Sequence, residues 1–302
     1  MSNISRRGFI ASTALLGIGL TIDGVSASTK PSDRRFVSVK ETKEEAIRYW
    51  LQQGYSKTAP ASLITGLDYN GGLNYDDSVQ HYEPDLAQFV VQPCSRIEDI
   101  TNQNKLGTLP IFNILAFSWT LDADFTQATL LLFDYLIHHV RLDPSRLRMT
   151  TTIKAEPLFP VFESYGVLLP QIRLRSLEEA MDVGDGSGYF APNGHPNSPA
   201  FPTYSVEYAL SSKKTKHSKK SDDFDTTANE IELAEMGVTI NPGFYAGGFG
   251  LERLTMARND QVMYWGDYLP VFKHTVLADA QHEHNPLPSG YYEILASMTK
   301  GF

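Results

Sequence analysis

The stretch GGFGLERLTMA at residues 247–257 combines residue types that can hold an anion. Glycines let backbone N–H groups approach a phosphate, and the start of a helix carries positive partial charge. An arginine adds a forked cation that matches phosphate or carboxylate geometry. Spacing excludes two known phosphate loops. The dinucleotide fingerprint needs a third glycine where this chain has Arg253, and it opens a βαβ unit near the start of a domain. The P-loop needs Gly-Lys-Ser/Thr, which does not follow. What remains is Gly248-x-Gly250-x-x-Arg253, expected as a glycine-rich turn before a helix that faces Leu251, Leu254 and Met256 inward. Two readings stay open. Either Arg253 is solvated beside an ordinary turn, or the glycines make room for a flat ligand whose phosphates Arg253 reaches. The second reading needs another arginine.

Arg96 in QPCSRIEDI, residues 92–100, supplies a candidate. It is followed by Glu98 and Asp99 and by the polar segment TNQNKLG, before an apolar run resumes at Leu109. A strand, a polar loop and a second strand would put Arg96 at the mouth of a hairpin, free to meet an anion or to pair with Glu98 or Asp99. His282-Glu283-His284 has the residue types of a metal pair but no evident third ligand, and reads as an exposed, proline-bearing tail. Cysteine occurs once, at Cys94, which excludes an internal disulfide and a cysteine-based zinc site.

The elements that would position these residues are a mixture. KEEAIRYWLQQGY has helical spacing at Ala46, Ile47, Trp50 and Leu51, with Gly54 as a stop. Residues 86–92 and 109–119 read as strands, 126–140 as a long buried helix, and 161–176 as containing at least one more strand. Helices and strands without strict βαβ alternation predict an α+β fold with a largely antiparallel sheet flanked by helices. The segment 183–202 is a long glycine- and proline-rich loop.

Composition places the chain among globular proteins: 302 residues, 42% hydrophobic and 20% charged. A net charge of −9 opposes nucleic-acid binding by the surface as a whole. The one basic cluster, KKTKHSKK at 213–220, reads as a solvated loop or as an RNA contact. Residues 1–27 have a basic start, an apolar run from Phe9 to Ile22 and a small-residue ending, the parts of an export signal, and Ser5-Arg6-Arg7-Gly8-Phe9-Ile10 resembles the twin-arginine type. The run is too short for a stable membrane anchor. The expected organisation is a signal at 1–27, a linker at 28–40 and a catalytic domain at 41–302. The mature protein would be periplasmic or extracellular if the signal is real, and cytoplasmic otherwise.

Taken together, these stretches resemble the catalytic core of a class II aminoacyl-tRNA synthetase, nearest to the alanyl enzymes. AIRYWLQQGYSKTAPASLI at 46–64 is similar to that family's start. QPCSRIEDI resembles motif 2, IFNILAFSWTLDADF the strand and turn after the motif 2 loop, and GGFGLER motif 3. The resemblance implies that Arg96 holds the α-phosphate and Arg253 the γ-phosphate of ATP, that Gly248 and Gly250 leave space for adenosine, and that Phe112 stacks on adenine. Glu98 and Glu252 would bind the adenine amino group or Mg²⁺. It also allows a dimer.

Three positions depart from the alanyl pattern. Ala246 stands where an aspartate anchors the substrate's ammonium group, Asn113 where an acid follows the stacking phenylalanine, and Leu109-Pro110 where an Arg-His pair closes the motif 2 loop. The chain also stops where the alanyl enzymes' tRNA-binding parts would begin, so ordinary tRNA charging is not expected. Three functions compete: ATP-dependent activation of an amino acid or related carboxylate for a non-tRNA acceptor, an exported non-catalytic binding protein, and a truncated alanine-tRNA ligase.

Overall fold

A computed structural model describes residues 35–72, 87–120, 125–191, 199–211, 229–240 and 243–297. The signal segment, the KKTKHSKK stretch and residues 192–198 of the long loop lie outside them. The first helix starts where the sequence supplies a cap. Ser38 Oγ accepts from the Glu41 N–H at 3.2 Å, and the Glu41 carboxylate accepts from the Ser38 N–H at 2.9 Å. This reciprocal pair satisfies two otherwise orphaned donors at the start of α1 (Val39–Gln52). The helix ends before Gly54, as expected. Its inward face differs by one step from the expected one: Tyr49 and Trp50 are buried and Leu51 is 49% exposed.

The short strands β1 (Ser56–Lys57), β2 (Ile64–Thr65) and β3 (Asp68–Tyr69) precede β4 (Gln88–Cys94) and β5 (Phe112–Thr120). After these come α2 (Phe125–Phe133), β6 (Leu147–Thr152), α3 (Phe159–Ser164), β7 (Ile172–Arg175) and α4 (Leu177–Val183). The chain continues through β8 (Ala200–Ala209), β9 (Glu230–Ile240), β10 (Gly243–Gly250), α5 (Leu251–Asn259), α6 (Trp265–Glu283) and α7 (Tyr291–Ala296).

Eight strands form one sheet in the order β1-β4-β5-β10-β9-β8-β6-β7, while β2 and β3 pair separately. The six central strands are antiparallel, and the outer pairs β1–β4 and β6–β7 are parallel. The expected α+β sheet flanked by helices is therefore present, with mixed pairing at its two edges.

Successive strand side chains point to opposite faces, and this divides the sheet into a core side and an open side. Leu115, Phe117 and Phe249 are buried on the first. Trp50 of α1 stacks on Phe117 with ring centroids 4.2 Å apart, and Tyr135 lies 5.1 Å from Phe249. Behind the same face, α5 buries Leu251, Leu254 and Met256 completely, as the spacing predicts. The long helix expected over 126–140 is α-helical only to Phe133 and widens into a π-helical turn over Asp134–His139. That turn lets Tyr135 and Leu136 both reach the core, the kind of local re-aiming a π-bulge provides. Of residues 161–176, only the last part is a strand; the first part is α3.

A smaller apolar cluster joins Leu63, Ile64 and Ile111 to Trp265, Phe272 and Val276 of α6 and to Tyr291 and Ile294 of α7. His282 and Glu283 end α6 rather than lying in an irregular tail.

Candidate functional site

On its open side the sheet floors a cavity of about 940 Å³, and Arg96, Glu98, Phe112, Gly248, Gly250, Glu252 and Arg253 all line it. The glycines are not in a turn, as the sequence suggested, but in β10. Only Gly250 touches the helix, as the residue capping α5. Alternation puts Phe249 into the core and leaves Ala246, Gly248 and Gly250 on the cavity face. A Cβ at Gly248 would come within 3.1 Å of the Leu115 carbonyl oxygen, so a side chain there would both crowd β5 and fill the floor.

Arg96 leaves the sheet directly after β4. Its guanidinium carbon stands 5.1 Å from the centroid of the Phe112 ring, and its Nε–H donates to the Gly71 carbonyl at 2.5 Å. Among the described residues it has no ion pair, so neither Glu98 nor Asp99 neutralises it. Gly71 is placed by a relay from α6. Asp279 accepts from Ser62 Oγ at 2.8 Å and from the Ile64 N–H at 3.0 Å, and the Asn70 carbonyl accepts from the Ser95 N–H at 3.0 Å. The β2–β3 hairpin is thus pinned beside the arginine. Burial raises the Asp99 carboxyl, and the nearby Arg96 charge partly counters it.

Arg253, on the first turn of α5, reaches back over the sheet. Its Nε–H donates to the Gly107 carbonyl at 3.1 Å, and Nη1 lies 3.4 Å from Glu232 Oε2. With a third of its side chain exposed, it retains donors that face the cavity. Glu252 behaves differently from its neighbour. It is 2% exposed, and both carboxylate oxygens accept from Asn113: Oε2 from the main-chain N–H and Oε1 from Nδ2, each at 2.8 Å. Burial raises its pKa and the two Asn113 donors oppose the rise. Its position fixes the start of β5 and hence Phe112.

Four further acids line the cavity that the sequence had not singled out: Asp68, Asp185, Glu232 and Glu235. Burial would raise Asp185, but the Ser187 N–H at 2.9 Å and Arg175 Nη1, which donates to both of its oxygens at 2.8 and 3.0 Å, hold its carboxyl below the usual range. Glu235, across from Gly248 on β9, is pushed well above the carboxylate range by burial and by the adjacent Glu232. Only the alternation of β9 could have found it, since 235, 237 and 239 share one face.

His282 Nδ1 lies 2.7 Å from Glu283 Oε1 on the surface, away from the cavity. Among the described residues no group of three or more His, Cys, Asp or Glu side chains is gathered to hold a metal ion.

No protein-family model and no curated protein matches the chain. Among solved structures it is similar to histidyl-tRNA synthetase from S. aureus, at 10% identity and a TM-score of 0.39, over 75% of this chain and 68% of that one. It is also similar to pyrrolysyl-tRNA synthetase from Desulfitobacterium hafniense, at 15% identity and a TM-score of 0.32, over 74% of this chain and 70% of that one.

Proposed function

We propose that the cavity binds ATP and activates a carboxylic acid as its adenylate, in the manner of a class II aminoacyl-tRNA synthetase core. The observation that carries this reading is the convergence of Arg96 and Arg253, from two distant parts of the chain, on one glycine-floored cavity beside Phe112. Two fixed cations over a bare strand suit a polyphosphate with a flat base, and the aromatic ring offers the base a face. The motif resemblance points the same way and is nearest to the alanyl enzymes, although Ala246 lacks the acid by which those enzymes hold their substrate's ammonium group.

In the proposed reaction a substrate carboxylate oxygen attacks the α-phosphorus. An O–P bond forms, the bond from that phosphorus to the bridging oxygen breaks, and pyrophosphate leaves with the electron pair. Arg96 and Arg253 stabilise the negative charge that builds on the transferring and leaving phosphates, and they are already positioned before the reaction begins. Phe112 orients the base. Glu252 acts at one remove, through Asn113, by holding the strand that carries Phe112.

A magnesium ion would fit this set as a companion of the triphosphate, held by one or two carboxylates such as Glu98 and Glu232, because among the described residues no protein cage for it is assembled. It would supply charge neutralisation on the phosphates. The acceptor in this proposal is not tRNA, given the net charge of −9, and the protein acts outside the cytoplasm if residues 1–27 direct export.

The test is amino-acid-dependent exchange of labelled pyrophosphate into ATP, which reports adenylate formation whatever the acceptor. Exchange with at least one acid supports the proposal. ATP binding without exchange for any acid would reduce the protein to a nucleotide binder.

A further inference from the structure

We propose that Asp279 is a positioning residue for Arg96, and that the helix pair α6–α7, which carries it, is coupled through that arginine to ATP; this rests on the reading of the cavity as an ATP site.

Arg96 is held loosely by its own surroundings. Among the described residues the Gly71 carbonyl is the one acceptor of a hydrogen bond from its guanidinium, and the Phe112 ring is its other support. A long side chain with so few contacts points at one place only if those contacts are themselves fixed. Gly71 follows β3, and the β2–β3 ladder has two residues in each strand, too few to stand alone. Its anchor is Asp279 on α6. Oδ2 accepts from Ser62 Oγ at 2.8 Å and from the Ile64 N–H at 3.0 Å, while Oδ1 accepts from the Leu63 N–H at 3.3 Å. Leu63 passes the restraint on in one step, because its carbonyl accepts from the Asn70 N–H at 2.7 Å. The Asn70 carbonyl accepts in turn from the Ser95 N–H at 3.0 Å. Asn70 and Ser95 are the chain neighbours of Gly71 and Arg96, so the restraint from Asp279 reaches both ends of the hydrogen bond that aims the arginine.

The other flank of Arg96 rests on the same helices. Ile97 packs on Gly290 at the start of α7, where a Cβ would come within 2.5 Å of Ile97 Cδ1. Gln103, just past the turn that Ile97 begins, donates from Nε2 to the Ser297 carbonyl at 3.4 Å, and the Ser297 hydroxyl accepts from Trp265 Nε1 at 2.8 Å. Leu63 and Ile64 share one apolar cluster with Trp265 and Phe272 of α6. The segments on both sides of the arginine are thus seated on α6–α7. Coupling through such a seat is reciprocal: loosening it weakens the ligand that Arg96 holds, and a ligand that fixes Arg96 tightens it.

The experiment is a double-mutant cycle on ATP affinity, measured by calorimetric titration of the full chain with ATP and Mg²⁺. Asp279→Ala should weaken binding about three- to tenfold, because the ligand must then order Arg96 itself. In the Arg96→Ala background the same change should weaken it by about twofold or less, since the arginine through which Asp279 acts is gone. A merely structural role would give the same factor in both backgrounds. That result, or no loss of affinity in Asp279→Ala, overturns the inference and leaves the ATP reading standing. Absence of binding by the wild-type protein at millimolar ATP removes the reading and the inference together. If Asp279→Ala does not fold, Ser62→Ala takes its place, removing one donor to the same carboxylate: the loss should be about two- to threefold with Arg96 present and absent without it, and equal losses overturn the inference.

Discussion

The guanidinium carbon of Arg96 stands 5.1 Å from the centroid of the Phe112 ring, in the lining of a cavity that Arg253 also lines. The ring both steadies the arginine and presents a flat face. Replacing it separates these effects. Phe112→Leu keeps apolar volume but loses the face and the cation–π contact, and should weaken ATP binding by about five- to thirtyfold, each of the two contacts contributing roughly 0.5–1 kcal/mol. Phe112→Trp should retain most of the affinity. Equal ATP affinity for Phe112→Leu and wild type, measured by titration, would mean that the ring is ordinary strand packing.

Glu252 and Asn113 form a second coupled pair, and removing the carboxylate should cost stability rather than contacts to a ligand. Glu252→Ala leaves two half-buried donors of Asn113 without their acceptor, a penalty of about 1–3 kcal/mol in total. Chemical denaturation should show this loss. Glu252→Ala with Asn113→Ala should cost less than the sum of the two single changes, and strict additivity would show that the pair does not act as a unit.

Much of the scaffold could be read in the sequence because its signals are local. The stop of α1 before Gly54, the inward face of α5 and the β4–β5 hairpin each follow from residues within one turn or one alternation of each other. The long strands β8 and β9 were not legible for the opposite reason. Glu232 and Glu235 interrupt the apolar pattern of β9, because its open side faces a polar cavity rather than a core. The same blindness hid Asp185 and Glu235, whose place on the cavity wall comes from the turn after α4 and from pairing register. Arg96 and Arg253 were legible as candidates through their motif surroundings. The relay from Asp279 to Gly71 that places Arg96 was not, since it joins residues more than two hundred positions apart.

The buried acids give stability a definite pH dependence. Glu207, Glu235 and Glu252 are all raised, with burial as the main cause. In the unfolded chain such groups ionise near pH 4.3 or so, whereas the folded chain keeps their protons to higher pH. The folded state then binds more protons, and stability falls as pH rises through that window. Asp185 has the opposite sign: its lowered pKa contributes stability above the unfolded value that is lost as pH falls through the folded one. The melting temperature should therefore be highest in mildly acidic buffer and decline toward about pH 8, with a shallower decline in Glu235→Gln. A melting temperature that climbs steadily from about pH 5 to about pH 8 would contradict the assignment.

The export reading of the first 27 residues predicts a mature chain beginning near Ser28 and located outside the cytoplasm. N-terminal sequencing of the protein from its native cell checks this. An intact start at Met1 or Ser2 in the cytosol would return those residues to the mature chain.

The most direct test of the arginine pair is the effect of ATP with Mg²⁺ on thermal unfolding of the purified protein. A ligand that binds only the folded state at about a hundred times its Kd stabilises by about 2.7 kcal/mol, a clear rise in Tm. Each arginine contact should contribute about 1.5–3 kcal/mol, so Arg96→Ala and Arg253→Ala should each weaken ATP binding by roughly ten- to a hundredfold and cut the stabilisation at the same concentration to about 0.4–1.4 kcal/mol. The account predicts a clear rise for the wild type and at most about half of it for either variant. No rise for the wild type at millimolar ATP, or an undiminished rise in both variants, would contradict it.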